Sequence, residues 1–136
     1  MQDILTTLGV DPKLDKQGKW ITWLHGIKLL VARLGNSNYH NRELSLMRGL
    51  NWKEVTAEQL EEIQNRCLAE TVLLGWEGFD EFDGQKDFTY SPLNAYKLIS
   101  DPRMALLRAK VIMEASSMEN FAWKSDKDAA ESLKNS

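Results

Sequence analysis

The sequence has few of the residues from which active sites and metal sites are usually built. Its single cysteine, Cys67, cannot form an internal disulfide, and its two histidines, His25 and His40, have no Cys-x-x-Cys or His-x-x-x-His pattern around them. Zinc sites, and many nucleophilic active sites, are built from such groups. We therefore expect no enzymatic activity, no metal and no other cofactor, with Cys67 a small buried residue of a helix.

Long apolar runs and a surplus of basic residues are also missing. No apolar stretch approaches the roughly 18 residues of a membrane-spanning helix, and the start at Met1–Leu5 lacks the features of a secretion signal. The formal net charge of −3 is unlike the basic surplus typical of nucleic-acid-binding proteins. These features predict a cytoplasmic protein whose partners include neither membrane nor nucleic acid.

The acidic run Asp80–Gly84 does not have the spacing of a calcium-binding loop. Aligning Gly84 with the glycine of an EF-hand loop puts Phe79 where the first aspartate is needed. We therefore interpret the run as a solvated turn with Asp83-Gly84 at its tip.

The composition indicates one folded domain followed by a polar tail. The chain has 136 residues, of which 43% are hydrophobic and five are tryptophan, enough to build one core. Beyond Trp123 the sequence is polar and mixed in charge. We predict a globular domain over residues 1–123 and a flexible tail over 124–136, whose removal should leave the melting temperature nearly unchanged.

A β-hairpin is predicted near residues 19–33. Two runs rich in β-branched and aromatic residues, Trp20–Leu24 and Ile27–Arg33, flank a candidate two-residue turn at His25-Gly26. A lone hairpin is only marginally stable in water. We expect it to pack on helices or to pair with another strand edge, including one from a second copy of the chain.

Helical signals follow the hairpin. Thr56 and Gln59 have the spacing of a capping box, and Ser91-Pro92 and Asp101-Pro102 each place an N-cap residue before a helix-compatible proline. The predicted fold is α+β and mainly helical, with the N-terminal β-hairpin packed on a bundle of about four helices. These helices are predicted near residues 38–49, 56–74, 91–100 and 102–122.

A long ordered loop rich in aromatic residues and glycine is predicted between the second and third of these helices. Residues 75–92 contain three glycines and five aromatic residues. The rings have two interpretations: a plug that packs the loop on the helices, or an exposed groove for a partner. The last helix adds methionines, whose side chains adapt to irregular partners. The predicted partner-binding residues are Trp76, Phe79, Phe82, Tyr90, Met104, Met113 and Met118.

Residues 73–121 contain an ordered series of motifs. They are Leu74-Gly75-Trp76-x-Gly78-Phe79, the Asp83-Gly84 turn, Phe88-x-Tyr90-Ser91-Pro92-x-Asn94-Ala95 followed by Leu98, Asp101-Pro102-Arg103, and Ala115 before Glu119-Asn120-Phe121. In these motifs the segment resembles the tail assembly chaperones of long-tailed bacteriophages. A looser similarity to the same proteins lies at the hairpin end, Ala32-Arg33-Leu34-Gly35-Asn36.

The resemblance implies a function in phage assembly. Such chaperones coat the long helical tape-measure protein before the tail tube closes around it, and they have no enzymatic activity. It implies the tape-measure protein as partner, with the tail tube protein as a second candidate, and self-association along the coated rod. The protein would act in the host cell cytoplasm and be missing from the mature virion. The alternative is a small structural virion protein, such as a tail-completion or connector subunit.

Overall fold

The computed structural model describes residues 3–123 as a mainly helical α+β fold, which confirms the predicted fold class. Within that range six α-helices accompany one antiparallel sheet of three strands. The elements in chain order are α1 (Ile4–Leu8), α2 (Pro12–Gln17), β1 (Lys19–Thr22), β2 (Lys28–Val31), α3 (Ser37–Met47), α4 (Ala57–Thr71), β3 (Leu73–Glu77), α5 (Pro92–Ser100) and α6 (Ala105–Ser116).

The predicted hairpin is formed by β1 and β2, which pair antiparallel with Ile21 opposite Leu29. Its turn differs from the predicted two-residue turn. The Trp23 N–H donates to the Ile27 carbonyl at 2.7 Å, so three residues, Leu24–Gly26, form the loop. His25 and Gly26 both have positive φ, 55° and 75°, and Gly26 stands at the last loop position, which three-residue hairpin loops usually place in the left-handed region.

The third strand, β3, was not predicted. The prediction extended the preceding helix to residue 74 and began a loop at Gly75, but α4 ends at Thr71 and Leu73–Glu77 pairs with β2. The free edge of β2 supplies the hydrogen-bonding partners for this apolar stretch. The hairpin therefore finds its additional strand within its own chain.

The core lies between the inner face of the sheet and the helices. Leu29 on β2, Leu68 on α4 and Val111 on α6 are fully buried, and α4 packs closely on α3 and α5. Cys67 is buried in this core, as predicted, and burial raises the pKa of its thiol to about 11. The thiol is therefore un-ionised at neutral pH.

The predicted last helix over residues 102–122 is interrupted at both ends. A 3₁₀ turn, Pro102–Met104, precedes α6, and a second, Met118–Phe121, follows it. Helix α6 stops because Ser117 is extended, with ψ at 103°. The Asn120 side-chain amide then donates to the Glu114 carbonyl at 2.9 Å, satisfying a backbone acceptor at the helix end.

The two ends of the described chain meet. Val10 and Ala122 form an isolated antiparallel bridge, in which the Asp11 N–H donates to the Phe121 carbonyl at 2.8 Å. The segment before β1 contains the two short helices α1 and α2, which lie outside the four predicted helices. The predicted tail, 124–136, lies outside the described residues.

Asn36 ties the hairpin to two helices. Its side chain is fully buried and accepts a hydrogen bond from the Tyr39 N–H at 3.0 Å, capping α3. Its amide nitrogen donates to the carbonyls of Arg33, at 2.7 Å, and of Thr71, at 3.2 Å. One side chain thus joins the end of the hairpin, the start of α3 and the end of α4.

We predict that Asn36→Ala lowers the free energy of unfolding by roughly 2 kcal/mol, because it removes a helix cap and takes the side-chain donor away from the carbonyl of buried Thr71. Asn38→Ala is the matched control: Asn38 is exposed on the same helix, so we expect a change within about 0.5 kcal/mol. Urea unfolding followed by circular dichroism measures both. Equal stability of the two variants would contradict this role of Asn36.

Candidate partner-binding groove

The loop after β3 is shaped by a tight turn at Asp83-Gly84, as predicted. The Phe82 N–H donates to the Gln85 carbonyl at 3.0 Å, and the Gln85 N–H donates to the Phe82 carbonyl at 2.9 Å. Asp83 and Gly84 between them have positive φ, 50° and 84°. This combination is typical of the two-residue turn favoured by Asp-Gly sequences.

The aromatic side chains of the loop form a packed plug around Trp76. The Trp76 side chain is only 8% exposed and stacks against the rings of Phe79, at 5.2 Å, and Phe88, at 5.6 Å between centroids. Tyr90 meets it edge-on at 5.2 Å. The indole N–H donates to the Phe88 carbonyl at 3.3 Å, so the polar atom of this buried ring is satisfied.

Gly78 allows the loop to touch the hairpin turn. Its φ is +98°, and a Cβ at this position would lie 2.6 Å from the Gly26 carbonyl oxygen and 2.9 Å from the Ile27 Cα. Any other residue would push the loop away from the hairpin. The contact brings the hairpin turn alongside Phe79.

An open groove of about 390 Å³ lies where the hairpin turn, the loop and the start of α6 meet. The buried side chains of Leu98 and Leu107 form its floor. Leu106 is 67% exposed at its lip. The apolar residues of its walls are Trp23 and Ile27 from the hairpin, Phe79 and Phe82 from the loop, and Met104 and Leu106 from the last helical segment.

Three of the predicted partner-binding residues, Phe79, Phe82 and Met104, come together in this groove. Trp76 lies in the plug beneath them, and Tyr90 is partly buried there, its hydroxyl donating to the Leu73 carbonyl at 2.9 Å.

Two predicted residues, Met113 and Met118, are exposed outside the groove. Three groove residues, Trp23, Ile27 and Leu106, were not predicted as site residues. A signal for the first two was available, since Trp23 and Ile27 directly flank the hairpin turn. Leu106 has no such local signal.

Arg103 links the loop to the segment before α6 by ion pairs. Its guanidinium group makes two hydrogen bonds to the Asp83 carboxylate, at 3.2 and 3.0 Å, and reaches the Asp101 carboxylate at 2.8 Å. These bonds lower the pKa of both carboxyl groups. The Arg103 and Asp83 side chains are exposed, so the contact contributes position more than stability.

Chemically reactive groups are dispersed. His25 and His40 are both exposed, on the hairpin turn and on α3. Among residues 3–123, no three histidine, cysteine, aspartate or glutamate side chains are grouped so that they could hold a metal ion. Within the same range, no helix has the length and apolar character needed to cross a bilayer. The groove is thus the feature that we take as the candidate site.

Trp76→Ala should lower the free energy of unfolding by roughly 3–5 kcal/mol, because it empties the centre of the aromatic plug. Trp52→Ala is the control, since Trp52 is 65% exposed and its loss should change stability by no more than about 0.5 kcal/mol. Thermal and urea unfolding distinguish the two. If the Trp76 variant unfolds like the parent, the plug does not stabilise the fold.

We expect Arg103→Gln to speed hydrogen exchange at the Phe82 and Gln85 amides, whereas Arg66→Gln, on the surface of α4, should not. In the parent the ion pairs should persist at neutral pH and weaken only below the ordinary aspartate pKa of about 4, since both folded pKa values are lowered. Exchange measured by NMR and corrected for intrinsic rates provides the test. Unchanged exchange at both amides in the Arg103 variant would show that the turn holds its position without this contact.

A family of known phage-derived proteins matches most of this chain. The family model described as YdaY prophage protein matches residues 34–132, which are 99 of the 136 residues. The match includes the plug, the loop side of the groove and Arg103, and it begins after the hairpin. No curated protein and no solved structure matches the chain. The chain belongs to the family of YdaY prophage proteins and is therefore a phage protein.

Proposed function

We propose that this phage protein is a tail assembly chaperone that binds the tape-measure protein and keeps it soluble before the tail tube polymerises. It would act in the host cytoplasm without enzymatic activity, cofactor, nucleic acid or membrane, and would be missing from the mature virion. The observation that carries the proposal is the apolar groove in a protein of phage origin. The sequence resemblance described above supplies the identity of the partner.

The apolar lining of the groove supports the proposal that it holds an apolar helix. Amphipathic helices bind in apolar grooves through side chains at positions i, i+3, i+4 and i+7. Aromatic walls provide large contact areas, and flexible side chains such as Met104 adapt to different sequences. A long tape-measure protein presents many different apolar segments, so an adaptable groove suits it better than a rigid pocket.

Self-association is part of the proposal. The Trp23 N–H donates to the Ile27 carbonyl, and hydrogen-bonded pairs alternate along an antiparallel ladder, so Ile21 and Leu29 form the next such pair. The backbone groups of Trp20 and Thr22 therefore point away from β2. No strand within residues 3–123 pairs with that outer edge of β1. Neighbouring copies bound along one tape-measure protein would contact one another through this edge. The tail tube protein is a second candidate partner, besides the tape-measure protein.

The alternative is a small structural virion protein, a tail-completion or connector subunit. The same groove would then hold a permanent neighbour in the finished particle. The two functions differ in the composition of the virion, since a chaperone leaves and a subunit stays. Mass spectrometry of purified virions therefore separates them.

Co-expression with an aggregation-prone fragment of the phage's tape-measure protein tests the proposal. We expect the parent to keep the fragment in the soluble fraction. Leu106→Asp should lose this effect, because it puts a charge at the lip of the groove. Leu93→Asp should retain it, since Leu93 is equally exposed, at 65%, but lies outside the groove.

The outcomes are distinct. A fragment that stays insoluble with the parent contradicts the chaperone function. A fragment kept soluble by the parent and by both variants upholds the function but places the binding surface elsewhere. Circular dichroism of each purified variant verifies that it is folded.

A further inference from the structure

The groove has an acidic rim beside its apolar floor. Glu81 and Asp83 lie on the rim next to Phe82. The loop to which they belong, residues 78–87, contains four carboxylates and one lysine. A helix lying in the groove would therefore place its polar flanks close to an excess of negative charge.

The guanidinium group on this rim, that of Arg103, already forms ion pairs within the chain. Arg103 shares its guanidinium group between Asp83 and Asp101, so these three residues together retain one negative charge. None of the ion pairs formed within residues 3–123 involves Glu81. The rim thus has carboxylates to offer a partner and no free guanidinium group of its own.

We infer that the groove prefers helices whose apolar stripe is flanked by lysine or arginine over helices flanked by glutamate or aspartate. This inference rests on the proposed function, since it assumes that the groove holds a helix. Charges at the rim of an interface mainly determine specificity and association rate, because they remain partly solvated. The apolar contacts would supply most of the affinity, and the rim would select among apolar segments.

The expected size of this selection follows from the exposure of the rim. An exposed ion pair changes a binding constant by about two- to fivefold, and a like-charge contact opposes binding to a similar degree. An ion pair gained by a lysine-flanked helix and a like-charge contact suffered by a glutamate-flanked helix together predict roughly tenfold tighter binding of the lysine-flanked helix at low salt. Because the Debye length shrinks to about 3 Å at 1 M salt, the preference should largely disappear there.

The test uses the full chain and three synthetic helical peptides with the same leucine and methionine stripe, flanked by lysine, glutamine or glutamate. Fluorescence anisotropy of the labelled peptides gives their dissociation constants at low and high salt. We expect the lysine peptide to bind tightest and the glutamate peptide weakest, with the glutamine peptide between them. The three values should converge at high salt.

Glu81→Lys should reduce or reverse this order. Glu54→Lys is its matched control, because Glu54 is exposed away from the groove and the substitution changes the net charge equally. The Glu54→Lys variant should still bind the lysine peptide tightest and the glutamate peptide weakest. If Glu54→Lys weakens the preference as much as Glu81→Lys, the preference arises from net charge and the inference is wrong.

Two further outcomes would also overturn the inference. If the parent binds the three peptides equally but keeps the tape-measure fragment soluble, the groove has no charge preference. The inference is then wrong, and the proposed function is unaffected. No binding of any peptide would show that the groove does not hold an apolar helix of this kind. Failure to solubilise the fragment, by contrast, is a failure of the proposed function itself.

Discussion

The antiparallel pairing of β3 with β2 is the interaction on which the rest of the structure depends. It places Trp76 opposite Leu29 on the inner face of the sheet, where the indole ring organises the aromatic plug. It also starts the loop from a fixed strand, so that Gly78 can contact the hairpin turn. Two of the three apolar walls of the groove, the one from the hairpin and the one from the loop, are therefore positioned by this one pairing.

The elements that the sequence predicted have signals within a few residues of one another. The capping box of α4, the proline at the start of α5 and the Asp83-Gly84 turn are all local. Strand β3 depends instead on pairing across more than forty residues, Val31 with Leu73. Its apolar residues also continue the stripe of α4, so helical periodicity extended the predicted helix too far.

The candidate site shows the same division. Aromatic and methionine content was enough to select Phe79, Phe82 and Met104, which the fold brings together. The same reasoning selected Met113, which lies outside the groove, because a methionine-rich helix does not reveal which of its faces stays open. Leu106 was missed because its place at the lip of the groove depends on the hairpin and the loop, which are distant from it in the sequence.

Methyl NMR of the chain titrated with a tape-measure fragment tests the central claim, that the groove holds an apolar helix of the partner. The proposed binding mode predicts that the methyl resonances of Met104 and Leu106 shift, while those of Leu93 and Met113, exposed outside the groove, stay in place. Shifts at Leu93 or Met113 without any at Met104 and Leu106 would contradict it.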